Sequence, residues 1–333
     1  MRYCLYGTCY NSVGTIEATL NSIFRPDVTI VIVDSHSTDG TYEKLLTMKK
    51  DYNLTLISKR CSRGIGRDIG LKLCPENSFT SYVDLDVVYN KNFWNILESE
   101  KEGTLVWQHF GQTAYFATKD YALKSGGYRN LNSSETLEFI LRTGILNSYP
   151  ITIGNNMRYS ETSIVGRERR YSKGIGVYLR TGRITTDNTR GQGLSFGDFL
   201  SYYGLSRFPL FLASRIMGSY RMLNSKSNIQ LFLEELVEKL NDHRELGISD
   251  DCFALPLPSP FFFDLRSVMD RFREIWGSFK IYKLANSKNG WRGPVLKGKD
   301  LLIYTLNETG LRNYVEATPG MKIFPDDFET LTP

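Results

Sequence analysis

The segment Val28–Val33 constrains the fold more than any other part of the chain. Its residues, Val-Thr-Ile-Val-Ile-Val, are all β-branched, and Asp34 follows them directly. A strand that is apolar on both faces must be covered on both faces, as in the middle of a mostly parallel sheet flanked by helices. The neighbouring sequence agrees. Tyr3–Gly7 reads as a strand, Asn11 or Ser12 offers a helix cap, and Ile16, Leu20, Ile23 and Phe24 then fall on one helical face. Ser35–Gly40 reads as a polar turn, Thr41–Met48 as a helix and Leu54–Ser58 as a strand. Gly64–Leu73 reads as a glycine-opened helix, and Phe79–Val83 as a strand that delivers Asp84 and Asp86 at its end. Thr104–Trp107 and Thr113–Ala117 add strands, and Ser133–Thr143 a helix. This alternation predicts an α/β domain whose ligand lies at the carboxyl edge of the sheet.

Near residue 165 the pattern changes, and the chain is expected to divide into 1–165 and a mainly helical region, 166–333. Ile229–Leu240 and Leu265–Leu284 carry one-sided apolar patterns of helical period, and Leu255–Pro260 reads as a proline-broken linker. Roughly the last fifty residues read as irregular, with a frayed end at Leu331–Pro333. With 41% hydrophobic and 23% charged residues among 333, both parts can bury a core, which excludes disorder. The five cysteines (Cys4, Cys9, Cys61, Cys74, Cys252) have no metal-site spacing and are odd in number, so neither a structural zinc nor a disulfide framework is expected. No signal-peptide pattern opens the chain, which reads as cytoplasmic and reducing. Phe208–Gly218 is the most apolar stretch, yet it is too short to span a bilayer and contains Arg215.

The net charge of +5 is unevenly placed. Residues 165–226 hold eleven Lys/Arg against three Asp/Glu, between a balanced first half and an acidic tail. Such a run is either a solvated face or a contact for phosphate on a nucleotide, on a lipid-linked acceptor or on an anionic membrane surface. Phe196, Phe199, Tyr202, Tyr203, Phe208 and Phe211 interleave with it, as in an interfacial segment or the core of a helical subdomain. No nucleic-acid motif accompanies the charge, so nucleic acid is not an expected partner.

Four segments stand in order: Gly7-Thr8-Cys9-Tyr10-Asn11, Val33-Asp34-Ser35-His36-Ser37-Thr38-Asp39-Gly40-Thr41, Gly66-Arg67-Asp68-Ile69-Gly70 and Val83-Asp84-Leu85-Asp86. Over about the first 145 residues they resemble the family 2 inverting glycosyltransferases of the GT-A fold. The resemblance implies transfer of a sugar from a UDP- or GDP-linked donor to an acceptor hydroxyl. That acceptor would be a saccharide, a lipid-linked saccharide or a protein. It implies Mn²⁺ or Mg²⁺ held by Asp86, with Asp84 toward the ribose and reaching the metal through water. A hard cation of this kind favours carboxylate oxygens and leaves positions for phosphate. Asp34 would accept from the nucleobase, Thr8, Cys9 and Tyr10 would line the nucleotide, and Arg67 would clamp phosphate. Asp68 stands where the family usually has asparagine and is expected to make no ligand contact.

Inverting transfer is a single displacement and needs a base on the face opposite the leaving group. Glu135-Thr136-Leu137-Glu138-Phe139-Ile140-Leu141-Arg142 resembles the family's base segment, and Gly126-Gly127-Tyr128 its preceding turn. Thr136 replaces the aspartate that the family uses, so Glu135 is nominated as base and Glu138 second; the other reading of Glu135 is a first-turn residue that complements the helix dipole. The family's usual metal-side histidine is also missing, since the three histidines are His36, His109 and His243. These departures leave open a non-catalytic nucleotide-sugar-binding module.

Overall fold

The computed structural model of the chain describes residues 2–107, 113–157, 174–218, 228–258, 265–284, 301–316 and 328–331. Two compact units are present: residues 1–158 with 243–249, and residues 159–242 with 250–333. The first unit is built on a seven-stranded sheet in the order β3-β2-β1-β4-β7-β6-β8. Strands β1 (Arg2–Cys9), β2 (Val28–Asp34), β3 (Leu54–Ser58) and β4 (Ser78–Tyr82) run parallel, while β7 (Ala114–Thr118) pairs antiparallel with β4 and with β6 (Thr104–Val106). Strand β8 (Asn147–Tyr149) closes the edge beside β6. Around the sheet lie α1 (Ile16–Ile23), α2 (Thr41–Met48), α3 (Arg63–Leu73), α4 (Lys91–Glu98), α5 (Lys119–Leu123) and α6 (Glu135–Thr143). A separate pair joins β5 (Val87–Tyr89) to β9 (Gly154–Asn156).

This is the mixed α/β class with a mostly parallel sheet that the sequence predicts. Ile30 to Val33 are all inaccessible, as a doubly covered strand requires. The strand order reverses between β1 and β4, and their carboxyl ends open the crevice where α/β sheets bind ligands. Neither Asn11 nor Ser12 caps α1, which starts later at Ile16. Asn11 instead takes a positive φ of 52° and accepts from Thr38 N at 2.8 Å, so it braces the turn after β2.

Cys4 and Cys74 form a disulfide, contrary to the sequence expectation. Their separation of 70 residues leaves no local signature, and the pair meets because α3, which Cys74 caps, packs on β1. A disulfide of this kind persists in oxidising surroundings and so weighs against the reducing compartment expected from the sequence.

In the second unit, helices span Ile175–Gly191, Phe196–Tyr203, Phe208–Ile216, Asn228–Glu238, Leu265–Trp276 and Glu308–Glu316. A four-stranded antiparallel sheet that the sequence reading missed accompanies them: β10 (Ala254–Pro258), β12 (Leu301–Thr305), β11 (Lys280–Leu284) and β13 (Phe328–Leu331), in that order. The expected linker 255–260 is mostly the edge strand β10. Prolines 256 and 258 are compatible with pairing there because an edge strand has one side without a ladder. The helix expected through Leu284 stops at Trp276, where Gly277 takes a φ of +73° and turns the chain into β11. The closing residues likewise contain β12, a helix and β13. No helix among the described residues is long and apolar enough to cross a membrane.

Candidate active site

The site is assembled at the carboxyl ends of β1, β2 and β4 and at the starts of α3 and α6. Asp34 ends β2 and is buried. Its Oδ1 accepts from the Ser37 hydroxyl at 2.5 Å and the Cys9 thiol at 3.4 Å, and its Oδ2 accepts from Ser37 N at 3.0 Å. Burial, then the adjacent Asp34 charge, pushes the Cys9 thiol pKa up, so it stays a neutral donor. Cys9 therefore faces Asp34, while Tyr10 is half-buried just beyond β1. Asp39 locks the other end of this turn, accepting from Val13 N at 3.1 Å and Thr41 N at 3.0 Å. Burial works against its charge, but those bonds and the one from the Thr41 hydroxyl prevail and lower its pKa.

Helix α3 reaches the site through close approach. A Cβ at Gly64 would lie 2.0 Å from the Arg129 carbonyl oxygen, and one at Gly66 would lie 2.3 Å from Thr8 Oγ1. The glycines therefore let α3 seat against β1 and the 129–131 loop, where Gly64 N donates to Leu131 O at 2.9 Å. Ser62 caps the helix by accepting from Ile65 N at 3.2 Å. Thr8 donates to Arg63 O at 3.3 Å. Arg67 is thereby held beneath the site at 2% exposure. Its guanidinium lies 4.2 Å from the centre of the Tyr82 ring and donates to Asp84 Oδ1 at 2.5 Å, to Glu135 Oε1 at 2.8 Å and to the Thr136 hydroxyl. Burial opposes its charge, yet Asp84 and Glu135 overcome that and raise its pKa, so the cation is permanent.

Glu135 opens α6 and is also 2% exposed. Besides Arg67, the exposed Arg63 reaches its Oε1 at 3.4 Å, while Oε2 is buried and has no hydrogen-bond partner. Burial favours the neutral acid, but Arg63 and Arg67 outweigh it and hold the carboxyl below its usual range. Glu138, the second nominee, is fully committed. Arg142 donates to both of its oxygens at 2.6 and 2.8 Å, and Arg129 approaches Oε1 at 2.9 Å. Arg142 also donates to Gly127 O at 2.7 Å. Asp68 completes this support by accepting from Tyr128 N at 3.1 Å and Lys72 at 2.7 Å. It holds the Gly126–Tyr128 turn.

Asp84 and Asp86 lie on the turn between β4 and β5, both half-buried. Asp84 N donates to the Tyr89 hydroxyl at 2.9 Å, and Met157 N donates to Asp86 O at 2.8 Å. No group of three His, Cys, Asp or Glu side chains among the described residues converges to cage a metal. With Asp84 engaged by Arg67, the donor set fits a hard divalent ion bound by one or two carboxylates and completed by phosphate oxygens. His36 is exposed, His243 is buried, and His109 lies outside the described residues.

Residues 8–102 match the family model described as glycosyl transferase family 2. The N-terminal unit is a glycosyl transferase family 2 domain. The chain is thus a glycosyltransferase, and the matched segment holds every nominated nucleotide and metal residue, while Glu135 lies beyond it. Among solved structures, S. aureus TarS 1-349 is similar at 15% identity, covering 84% of this chain and 94% of that one, with a TM-score of 0.43. The mannosyltransferase PcManGT from Pyrobaculum calidifontis, in complex with GDP-Man and Mn²⁺, is similar at 15% identity, covering 70% and 79%, with a TM-score of 0.41. No curated protein matches the chain. In this glycosyltransferase Arg63 is the participant that sequence reasoning missed. Its signal was the Arg63–Arg67 spacing of one helical turn on the glycine-opened helix.

Proposed function

We propose that this chain transfers a sugar, with inversion and divalent-metal assistance, from a UDP- or GDP-linked donor to an acceptor hydroxyl, using Glu135 as base. The observation that carries the reading is the state of Glu135: a buried carboxylate with Oε1 held by Arg67 and Oε2 without a partner. The acceptor oxygen attacks the anomeric carbon as its bond to the diphosphate oxygen breaks, and the acceptor proton passes to Oε2. Asp86, with Asp84 beside it, would hold a divalent ion, which would supply positive charge to the leaving diphosphate. Arg67 orients Glu135 and Asp84 together, and Arg63, the more exposed of the two cations on Glu135, would add positive charge toward the phosphates. The pairing of Asp34 with Ser37 supports a role in presenting the turn to the nucleobase, alongside Thr8, Cys9 and Tyr10.

The acceptor is a saccharide, a lipid-linked saccharide or a protein, and the proposed place of action is the cytoplasm, at the membrane face. Recovery of the chain in an extracytoplasmic fraction, which the Cys4–Cys74 disulfide would suit, overturns that placement. A second reading, a nucleotide-sugar-binding module without chemistry, is favoured by the hold of two arginines on Glu135. Incubation with UDP- and GDP-sugars, Mn²⁺ or Mg²⁺ and acceptor mixtures separates the two. Release of nucleoside diphosphate that Glu135→Gln abolishes supports transfer, and binding without release supports the module.

A further inference from the structure

We infer that the face formed by residues 175–183 and 205–216 of the second unit is a docking surface for an anionic lipid bilayer. On the first helix Ile175, Tyr178 and Leu179 fall on one stripe and are 77%, 79% and 70% exposed. On the second, Leu212 and Ile216 stand one turn apart, with Ile216 88% exposed, and Leu205 is exposed on the 3-10 turn that precedes the helix. The helices lie side by side, since a Cβ at Gly182 would be 3.5 Å from Leu210 Cδ2. The buried Phe199 and Phe211 pack on each other, so these helices have apolar contacts of their own besides the residues left outside. Isolated exposed leucines are ordinary, but two helices with exposed apolar stripes are not.

Charge selects the occupant. Arg183 and Arg207 are exposed on these same elements. The acids of the described stretch 174–218 are committed internally: Asp187 is buried beside Arg190 at 3.6 Å, and Asp198 closes a capping box with Ser195. In sequence, the segment 165–226 carries eleven Lys/Arg against three Asp/Glu. Apolar side chains flanked by arginine suit the boundary of an anionic bilayer, where basic residues near the surface are attracted to the lipid headgroups. A second copy of this face would instead set arginine against arginine across a two-fold contact. The surface deepens the membrane-face placement proposed above, on which it rests, and does not depend on the transfer reaction.

The test is co-sedimentation of the full chain with phosphatidylcholine vesicles, with and without roughly 30% phosphatidylglycerol. Binding is expected to the anionic vesicles and to weaken strongly at about 0.5 M salt. Leu179→Glu with Ile216→Glu is expected to lower the affinity at least about tenfold, and Arg183→Glu about fivefold or more. The exposure of these positions predicts unchanged melting temperatures, which separates loss of binding from loss of fold. Absence of binding at low salt, equal binding to neutral vesicles or indifference to all three substitutions overturns the inference. A dimer seen by light scattering and dissolved by Ile216→Glu, without vesicle binding, assigns the face to a second copy and overturns it too. Nucleoside diphosphate release without vesicles is expected to be equal in the wild type and these variants. If release is absent in all of them while vesicle binding persists, the transfer reading fails and the surface stands.

Discussion

Glu135→Gln separates a base from a brace. Gln keeps an oxygen that can accept from Arg67 in place of the 2.8 Å bond, and Arg67 retains Asp84 at 2.5 Å, so the buried cation is not stranded. What changes is the charge and the second terminal atom. The amide puts an N–H₂ where Oε2 lies buried without a partner, an unsatisfied donor that costs about 1–3 kcal/mol. That is less than the about 3–5 kcal/mol expected when a buried pair loses one member outright, as in Arg67→Met. The catalytic loss is larger in relative terms: removal of a general base lowers turnover by about 10²–10⁴. The assay is nucleoside diphosphate release with acceptor, alongside calorimetric titration of UDP and GDP. The expected result is a lower kcat at an unchanged nucleotide Kd. A variant that loses stability yet keeps kcat within about threefold of wild type refutes the base assignment and leaves Glu135 as the brace of Arg67. Because Arg63 and Arg67 hold the folded-state pKa of Glu135 below its unfolded value, its stabilisation is complete above the ordinary carboxylate range. It is lost as pH falls through the depressed folded value, so Glu135→Gln should flatten the acid side of the stability curve.

Three further outcomes follow from the packing around the site. Gly64→Ala forces a Cβ to 2.0 Å from a carbonyl oxygen and should cost about 3 kcal/mol or more by denaturant melt, whereas Gly14→Ala, with nothing within 4 Å, should stay within about 0.5 kcal/mol. Asp68→Asn keeps an acceptor for Tyr128 N and loses only the exposed Lys72 pair, at less than about 1 kcal/mol, while Asp68→Ala loses both and costs about 1–3 kcal/mol. Asp86→Asn should weaken Mn²⁺-dependent nucleotide binding with little change in melting temperature, whereas Asp84→Asn should also lower the melting temperature by weakening the hold on Arg67; equal effects of the two on both readouts would contradict the division of labour.

The sheet was legible because burial on both faces leaves a run such as Val28–Val33 few alternatives, and the turn residues after β1, β2 and β4 announce the strand ends. The second unit was less so. Its strands β10 to β13 pair over long separations, and prolines 256 and 258 argue against a strand unless the partner order, which makes β10 an edge, is known. The Cys4–Cys74 bond is a product of α3 packing on β1, a contact that neither cysteine's neighbours encode.

The choice between Glu135 and Glu138 shows where local sequence stops being informative. Both open the same helix and both are buried, so position alone ranks them only by distance from the helix start. Glu138 meets Arg142 one turn later, a spacing that can be read from the sequence, and that pairing with Arg129 uses both of its oxygens. The partners of Glu135 come from α3, 68 and 72 residues earlier, and reach one oxygen only. The carboxylate whose neighbours are local is therefore spent on structure. The one held from a distance keeps Oε2 without a hydrogen-bond partner, and that is the oxygen on which the proposed base role rests. With no second carboxylate at 136 competing for Arg67, the guanidinium bridges Asp84 and Glu135 and ties the turn after β4 to the start of α6.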